Sequence, residues 1–296
     1  MLSILIPIYN YDVTTLVKEL HRQSNEVNIE YEIICLDDGS NSPTNNVNEE
    51  INKLKNCTFK ANTQNIGRSS IRNLLAEKAI YNHLLFIDAD TIPKSKNYIS
   101  NYITQIGKGY DVILGGFFYD KIRPDNNAIL RWKYGKSREE IDETIRNKEP
   151  YKVIISGNMF ITKEVFLKTN SNMLFNNYGL DNYFGALLKQ TKIKILHLNN
   201  EVYHLGLEKS SIFLNKTEQA VKTLMKLSNE EKFSQHSNDL LKWYTFFKKS
   251  KLVYLMYVIH LTISPLIKKN LLGKKPSIFL LQVYKLTIMC YYSLKV

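Results

Sequence analysis

The stretch LLFIDADTIP, residues 84–93, constrains the chain more than any other. Leu84, Leu85, Phe86 and Ile87 form a short apolar run of the kind buried on both faces of a parallel sheet. The run passes straight into Asp88-Ala89-Asp90, and Pro93 cannot donate to a continuing ladder. Two carboxylates are therefore expected at the carboxyl end of a buried strand, the rim where open α/β sheets bind ligands. On a continuing strand Asp88 and Asp90 would point to opposite faces. At a strand-to-turn junction both can converge on one cation or one nucleotide. Hard divalent cations take carboxylate oxygens and keep substrate phosphates among their other ligands. A solvated turn bearing two acids would give the same short pattern, so its meaning depends on its neighbours.

Those neighbours repeat the arrangement. LSILIPIYN, residues 2–10, reads as a first buried strand ending at Asn10, and Val13, Leu16, Val17 and Leu20 then have helical spacing. YEIICLDDGS, residues 31–40, is a second strand that closes on Asp37, Asp38 and a Gly-Ser turn. Residues 57–61 predict a third strand, and NIGRSSIRNLLAEKAI, residues 65–80, a helix opened by a glycine turn. A helix near 96–106 precedes a strand at 111–114. Strands alternating with helices imply right-handed β-α-β units and a mainly parallel sheet. Asn10, Asp37-Asp38 and Asp88-x-Asp90 then crowd one rim, which is harder to explain as chance than any one of them.

The second half is less regular. Residues 128–148 predict loop plus helix, and 152–162 a strand, a Ser156-Gly157-Asn158 bend and another strand. A helix is expected over 181–190, short strands at 193–196 and 202–204, and a helix at 211–227. Two apolar stretches follow, 243–267 and 278–294.

Taken together, LIPIYN, CLDDGS, NIGRSSIRN, LLFIDADTIP, the Ser156-Gly157-Asn158 bend and YGLDNYFGALL resemble the family 2 glycosyltransferases of the GT-A fold over about residues 1–205. The resemblance implies a nucleotide-sugar donor and a divalent cation, Mg²⁺ or Mn²⁺. It makes Asp37 and Asp38 similar to acids that hold a uracil and a ribose. Either can instead cap the Gly39-Ser40 turn. Asp90 matches the metal acid, and Asp88 the acid on the ribose and metal side. A late histidine, His204, completes such a metal shell in several enzymes of this fold, and His197 is the weaker candidate. Asn10, Asn65 and Gly67 fall on the nucleotide-binding side. Arg68 and Arg72 share one helix face behind the glycine turn, where guanidinium groups can hold a pyrophosphate. Arg72 can equally pair with Asp88 or Asp90 and position it. Trp132, Tyr134, Arg138, Glu139 and Asn158 are assigned to the acceptor side.

The resemblance also places a catalytic carboxylate at Asp181, with one departure. The family has a Glu-Asp pair there, and this chain reads Leu180-Asp181-Asn182. Whichever way the motif is counted, Asp181 is the carboxylate that remains. It can also cap the helix that follows.

Charge separates the tail from the body. Of a net charge of +12, residues 240–296 contribute ten lysines and no acid. A uniformly basic protein would suggest nucleic acid. A nearly neutral body with a basic, aromatic, apolar tail suggests an anionic membrane surface. Neither apolar stretch offers 20 uninterrupted apolar residues, so helices lying in the interface are expected. A helical oligomerisation arm is the alternative. Cys35, Cys57 and Cys290 have no metal-ligand spacing and suit a reducing cytosol, and residues 1–9 read as a strand rather than a leader.

The expected α/β protein has a GT-A domain at 1–207, a helical linker at 208–239 and a basic helical extension at 240–296. The expected activity is inverting transfer of a sugar, UDP-linked by preference, to a saccharide or lipid-linked acceptor at the inner face of a membrane. A nucleotidyltransferase would need a glycine-rich, lysine-bearing loop after the first strand, which residues 7–12 lack. A non-catalytic sugar-nucleotide-binding or membrane scaffold is the second rival, motivated by the lost Glu-Asp pair.

Overall fold

The computed structural model describes residues 1–170, 178–228 and 236–295. Its strands are β1 (Leu2–Ile8), β2 (Tyr31–Asp37), β3 (Cys57–Ala61), β4 (His83–Ile87), β5 (Thr91–Pro93), β6 (Val112–Leu114), β7 (Phe117–Phe118), β8 (Asn158–Thr162), β9 (Ile195–His197) and β10 (Val202–His204). The helices of the body are α1 (Thr14–Val27), α2 (Thr44–Asn48), α3 (Arg68–Lys78), α4 (Tyr98–Ile103), α5 (Ile129–Arg138), α6 (Glu143–Lys148), α7 (Lys163–Asn170) and α8 (Asp181–Gln190). Four more follow: α9 (Ser210–Leu227), α10 (Asp239–Lys249), α11 (Val253–Leu271) and α12 (Ile278–Ser293).

Among the described residues a seven-stranded sheet runs β3-β2-β1-β4-β8-β6-β9, and a three-stranded sheet runs β5-β10-β7. β1 pairs in parallel with both β2 and β4. The chain thus winds outward from β1 to β3, then returns to β4 on the other side of β1. Such a reversal opens a crevice beyond the strands' carboxyl ends. β8 lies antiparallel between β4 and β6, so the sheet is parallel only in the main.

The apolar runs explain the layering. In β4, Leu84 and Phe86 join the core on one face, with α3, α7 and α8, while Leu85 and Ile87 join the other, with α1 and α4. All four are fully buried, which is why the sequence shows a continuous run and not an alternation. Leu16, Val17 and Leu20 of α1 cover the second face, as their spacing predicts.

Residues 151–157 form no strand, and β8 begins only at Asn158. Asn158 is fully buried and accepts from the Tyr98 and Tyr102 hydroxyls at 2.6 Å each. Its amide donates to the Gly116 and Asn200 carbonyls at 2.8 and 2.9 Å. With every polar valence used inside the core, Asn158 is a structural hub. The acceptor role expected of it is therefore corrected.

The tail also departs from expectation. α12 is not an interfacial helix: Leu281, Tyr284, Ile288, Met289 and Cys290 are buried against the body. The Tyr284 hydroxyl donates to Glu218 of α9 at 2.6 Å, and Lys268 of α11 pairs with the same carboxylate at 3.0 Å. α11 keeps an exposed apolar face. Among the described residues no single helix is long and apolar enough to cross a membrane, although α10 and α11, bent by 115°, pass by length and composition together. The expected linker at 208–239 is occupied by α9 over most of its length, and residues 229–235 lie outside the described residues.

Replacing Asn158 with alanine removes the acceptor of two buried hydroxyls and the donor to two buried carbonyls, of which Gly116 keeps the Val202 amide. At about 1–3 kcal/mol for each group left without a partner, the cost is expected to exceed about 3 kcal/mol. Urea unfolding of Asn158→Ala against the parent measures it, and a loss below about 1 kcal/mol contradicts the hub.

Candidate active site

A cavity of about 610 Å³ opens beyond the carboxyl ends of β1 and β4, at the reversal of the sheet. Its lining brings together Asp38, Asn65, Gly67, Arg68, Arg72, Asp88 and Asp90, residues contributed by separate motifs. Asn10 does not join them. It is exposed in the left-handed region (φ 53°), and its neighbours Tyr9 and Tyr11 line the cavity instead.

The two acids after β2 have different tasks. Asp37 is fully buried and accepts from the Ser40 amide at 2.9 Å, from its hydroxyl, and from Asn45 at 3.2 Å. It closes the turn and does not reach the cavity, so its nucleotide-binding assignment is corrected. Asp38 lines the cavity and takes the amides of Ile66 and Gly67 at 2.8 and 2.9 Å. It pins the glycine turn ahead of α3 to the rim. Gly39 lies against that turn so closely that a Cβ would sit 2.3 Å from the Gln64 carbonyl carbon. Gly67 has φ of 90°, a region L residues rarely adopt.

α3 starts there and carries both arginines. Arg72 is buried and pairs with Asp88. Arg68 is about half exposed, donates to the Ser156 hydroxyl at 3.2 Å and lies 3.5 Å from Asp88. Burial alone would raise the Asp88 carboxyl. The two guanidinium groups, Arg72 foremost, outweigh it and hold the carboxyl below its ordinary value. Arg72 thus positions an acid, the alternative left open by its sequence. Asp88 also lies where a Cβ on Gly157 would come within 2.1 Å of its oxygen, so the bend after residue 156 must be glycine.

Asp90 faces a different environment. Its carboxylate lies 3.8 Å from His204 Nε2, and a Cβ on Gly206 would meet it at 2.0 Å. Burial pushes the Asp90 carboxyl up, opposed by His204, and burial pushes the His204 imidazole down, opposed by Asp90. His204 stacks on Tyr119 (centroids 5.4 Å apart), and its buried Nδ1 has no partner. An undercompensated carboxylate beside a neutral imidazole is a fitting donor pair for a divalent cation whose other ligands come from phosphate. No group of three or more such residues converges among the described residues. Of the expected set, Asp88 is paired with Arg72, Asp90 lines the cavity, and His204, with Arg131 3.5 Å from its Nε2, is not among the lining residues.

Asp181 is the first residue of α8, not its cap; Leu180 precedes it and no side-chain cap bond forms. Leu180 is buried in the core. Asp181 lines a second hollow of about 50 Å³ that shares Arg68, Arg72 and Tyr178 with the larger cavity.

The aromatic residues assigned to the acceptor side lie elsewhere. Trp132 donates its indole N–H to the Asp120 carbonyl at 2.8 Å. Tyr134 packs on Phe213 and takes the Lys285 ammonium over its ring. Glu139 accepts from Tyr119 and, at 2.9 Å, from Arg131. Trp132, Tyr134, Arg138 and Glu139 line neither of the two hollows. His197 is buried, with Arg146 and the Pro150 carbonyl each 2.9 Å away, and burial pulls its imidazole down to about 4. Sequence reasoning missed Tyr9, Tyr11, Tyr178 and Lys216, all at the larger cavity. The first three flank motif residues, and that adjacency was the available signal. Lys216 had none.

No curated protein matches the chain. Several solved structures share its fold. The S. aureus TarS fragment 1–349 in complex with UDP-GlcNAc is 16% identical, with a TM-score of 0.52 over 99% of this chain and 90% of that one. The mannosyltransferase PcManGT from Pyrobaculum calidifontis, in complex with GDP-Man and Mn²⁺, is 11% identical, with a TM-score of 0.55 over 99% and 86%. Glucosyl-3-phosphoglycerate synthase from Mycobacterium tuberculosis, with Mn²⁺, UDP and glucosyl-3-phosphoglycerate, is 15% identical, with a TM-score of 0.51 over 76% and 79%. The model of glycosyl transferase family 2 matches residues 3–169, more than half of the sequence. With a rim of acids and arginines at the switch point of a GT-A sheet, the chain belongs to glycosyl transferase family 2 and is a glycosyltransferase.

Proposed function

We propose that this transferase is inverting, takes a UDP-sugar into the larger cavity, and passes the sugar to a saccharide or lipid-linked acceptor in cell-surface glycan synthesis. The observation that carries the reading is the wall of Arg68, Arg72 and Tyr178 common to both hollows. On this reading the Asp181 carboxylate, in the smaller hollow, serves the sugar end of a donor whose diphosphate meets the shared arginines. The uridine nucleotides bound to TarS and to the mycobacterial synthase support the choice of donor.

Each residue then has a defined task. Asp38 keeps the turn at residues 65–67 against the nucleotide. Arg72 fixes Asp88 toward the ribose side, and Arg68, with part of its guanidinium free, meets the diphosphate. Asp90 and His204 would hold Mg²⁺ or Mn²⁺, which supplies positive charge opposite the leaving diphosphate. Asp181 accepts the proton of the acceptor hydroxyl as its oxygen bonds to the anomeric carbon and the bond to the diphosphate breaks. One displacement of this kind inverts the anomeric centre.

The acceptor is proposed to reside at the inner face of an anionic membrane, where the protein is peripheral. α11 turns Tyr254, Leu255, Leu261 and Leu266 outward, and α10 adds Trp243 and Phe246. Lys248, Lys249 and Lys251 gather at the corner between these helices, with Lys268, Lys269, Lys274 and Lys275 at the far end of α11. Apolar insertion framed by lysines suits an interfacial helix.

A positioned base is worth about 10²–10⁴-fold. Asp181→Asn is therefore expected to bind UDP as the parent does and to lose transfer by that order, measured with UDP-sugars and saccharide acceptors. A near-parental rate would place the base elsewhere, and a collapse of UDP affinity would make Asp181 a ligand residue. In calorimetry, UDP binding is expected to need Mn²⁺ or Mg²⁺ and to fail in Asp90→Ala; equal affinity in chelator contradicts the cation site. For the membrane, the sound variant is Leu255→Asp with Leu266→Asp, because deleting the tail would strip α12 from the core. The parent is expected to float with phosphatidylserine vesicles and the variant to stay behind. A parent that ignores such vesicles removes the membrane proposal.

A further inference from the structure

The larger cavity has one cation that no motif supplied. Lys216 comes from α9, beyond residue 169 where the family match ends, and meets the cavity together with Tyr178, across from the strand ends. Its ammonium lies 2.5 Å from Glu208 and 5.0 Å from the centre of the Tyr178 ring. Among the described residues three carboxylates and three cations line the cavity: Asp38, Asp88 and Asp90 against Arg68, Arg72 and Lys216. Arg72 is buried and pairs with Asp88 through Nη2. Arg68 and Lys216 are the lining cations with exposed surface, at about half and a third of their side chains.

The chain leading to Lys216 is tied to the cation pair. β10 ends on His204, Gly206 lies against the Asp90 carboxylate, and Glu208 follows two residues later. Glu208 therefore holds Lys216 from a segment whose position depends on Asp90. A lone ammonium on a flexible stem can turn from one anion to another without rearranging the backbone.

We propose that Lys216 is a diphosphate-binding residue of the donor site and that Glu208 is its resident counter-anion, exchanged for the donor's diphosphate when the nucleotide enters. This rests on the donor reading given above. Arg68 then holds the diphosphate from the α3 side and Lys216 from the α9 side. In the empty site the Glu208 pair keeps the ammonium charged and in place, although burial works against its charge. Only a ligand with phosphate oxygens gains from the exchange; a bare nucleoside does not.

The test is calorimetry of the full chain with Mn²⁺, titrating UDP, GDP and uridine into the parent, Lys216→Met, Lys216→Arg and Glu208→Gln. Lys216→Met removes a charge-assisted hydrogen bond to the diphosphate, which is expected to weaken UDP binding by about tenfold to a hundredfold. Uridine affinity should be unchanged, and Lys216→Arg should restore part of the loss. Glu208→Gln, with the competitor neutralised, should bind UDP at least as tightly as the parent. If Lys216→Met binds UDP like the parent, the proposal is wrong. It is equally wrong if uridine weakens in parallel, or if Glu208→Gln loses as much as Lys216→Met, since a structural strut would fail with either partner. A parent that binds neither UDP nor GDP would remove the donor reading itself, a result distinct from all of these.

Discussion

The site hangs on the buried pairing of Arg72 with Asp88. The carboxylate ends β4 and the guanidinium belongs to the second turn of α3, so the pair bolts a strand to the helix beside it at the reversal of the sheet. Breaking such a pair by removing one partner costs about 3–5 kcal/mol, because the other is left charged and buried. Its geometric effect is larger than its energetic one. With Asp88 held back against arginine, Asp90 alone is free to turn toward His204, and Arg68 keeps part of its guanidinium for a ligand. Gly157 makes the arrangement possible by leaving room for the Asp88 oxygen.

The carboxylates near this rim thus each behave differently. Asp37 closes a turn, Asp38 pins a loop, Asp88 pairs with arginine, Asp90 faces a histidine, and Asp181 opens a helix with no cap bond. The side chain is the same in each case. Burial, nearby cations and backbone donors set what each one can do. Among the described residues the fixed charges lining the larger cavity balance, Asp38, Asp88 and Asp90 against Arg68, Arg72 and Lys216.

The C-terminal helices divide in a comparable way. α12 is apolar on most sides and becomes core, sealing the sheet face that α3, α7 and α8 also cover. α11 packs on α12 through one side only and leaves its other face apolar and exposed. Both stretches look alike in composition. What separates them is their neighbours: α12 lies against α5, α9 and α10 as well as α11, whereas α11 lies chiefly against α12.

The sequence determined the sheet, its rim and the motifs along it. The fully apolar β1 and β4, the acids that end the strands and the glycine turn before Arg68 are local patterns whose meaning survives without tertiary knowledge. It also determined that Asp181 was the carboxylate available near the start of α8. The tertiary structure decided which polar residues face a ligand and which serve the core. Asn158 looked like a bend residue and is a buried hub, because Tyr98, Tyr102, Gly116 and Asn200 converge on it from segments 42 to 60 residues away. Trp132 bonds the Asp120 carbonyl and Tyr134 packs on Phe213, contacts that their spacing does not announce. Lys216 carried no signal at all. A lysine on a helix surface is anonymous until packing sets that surface across a cavity from an arginine, and sequence spacing says nothing about what lies opposite.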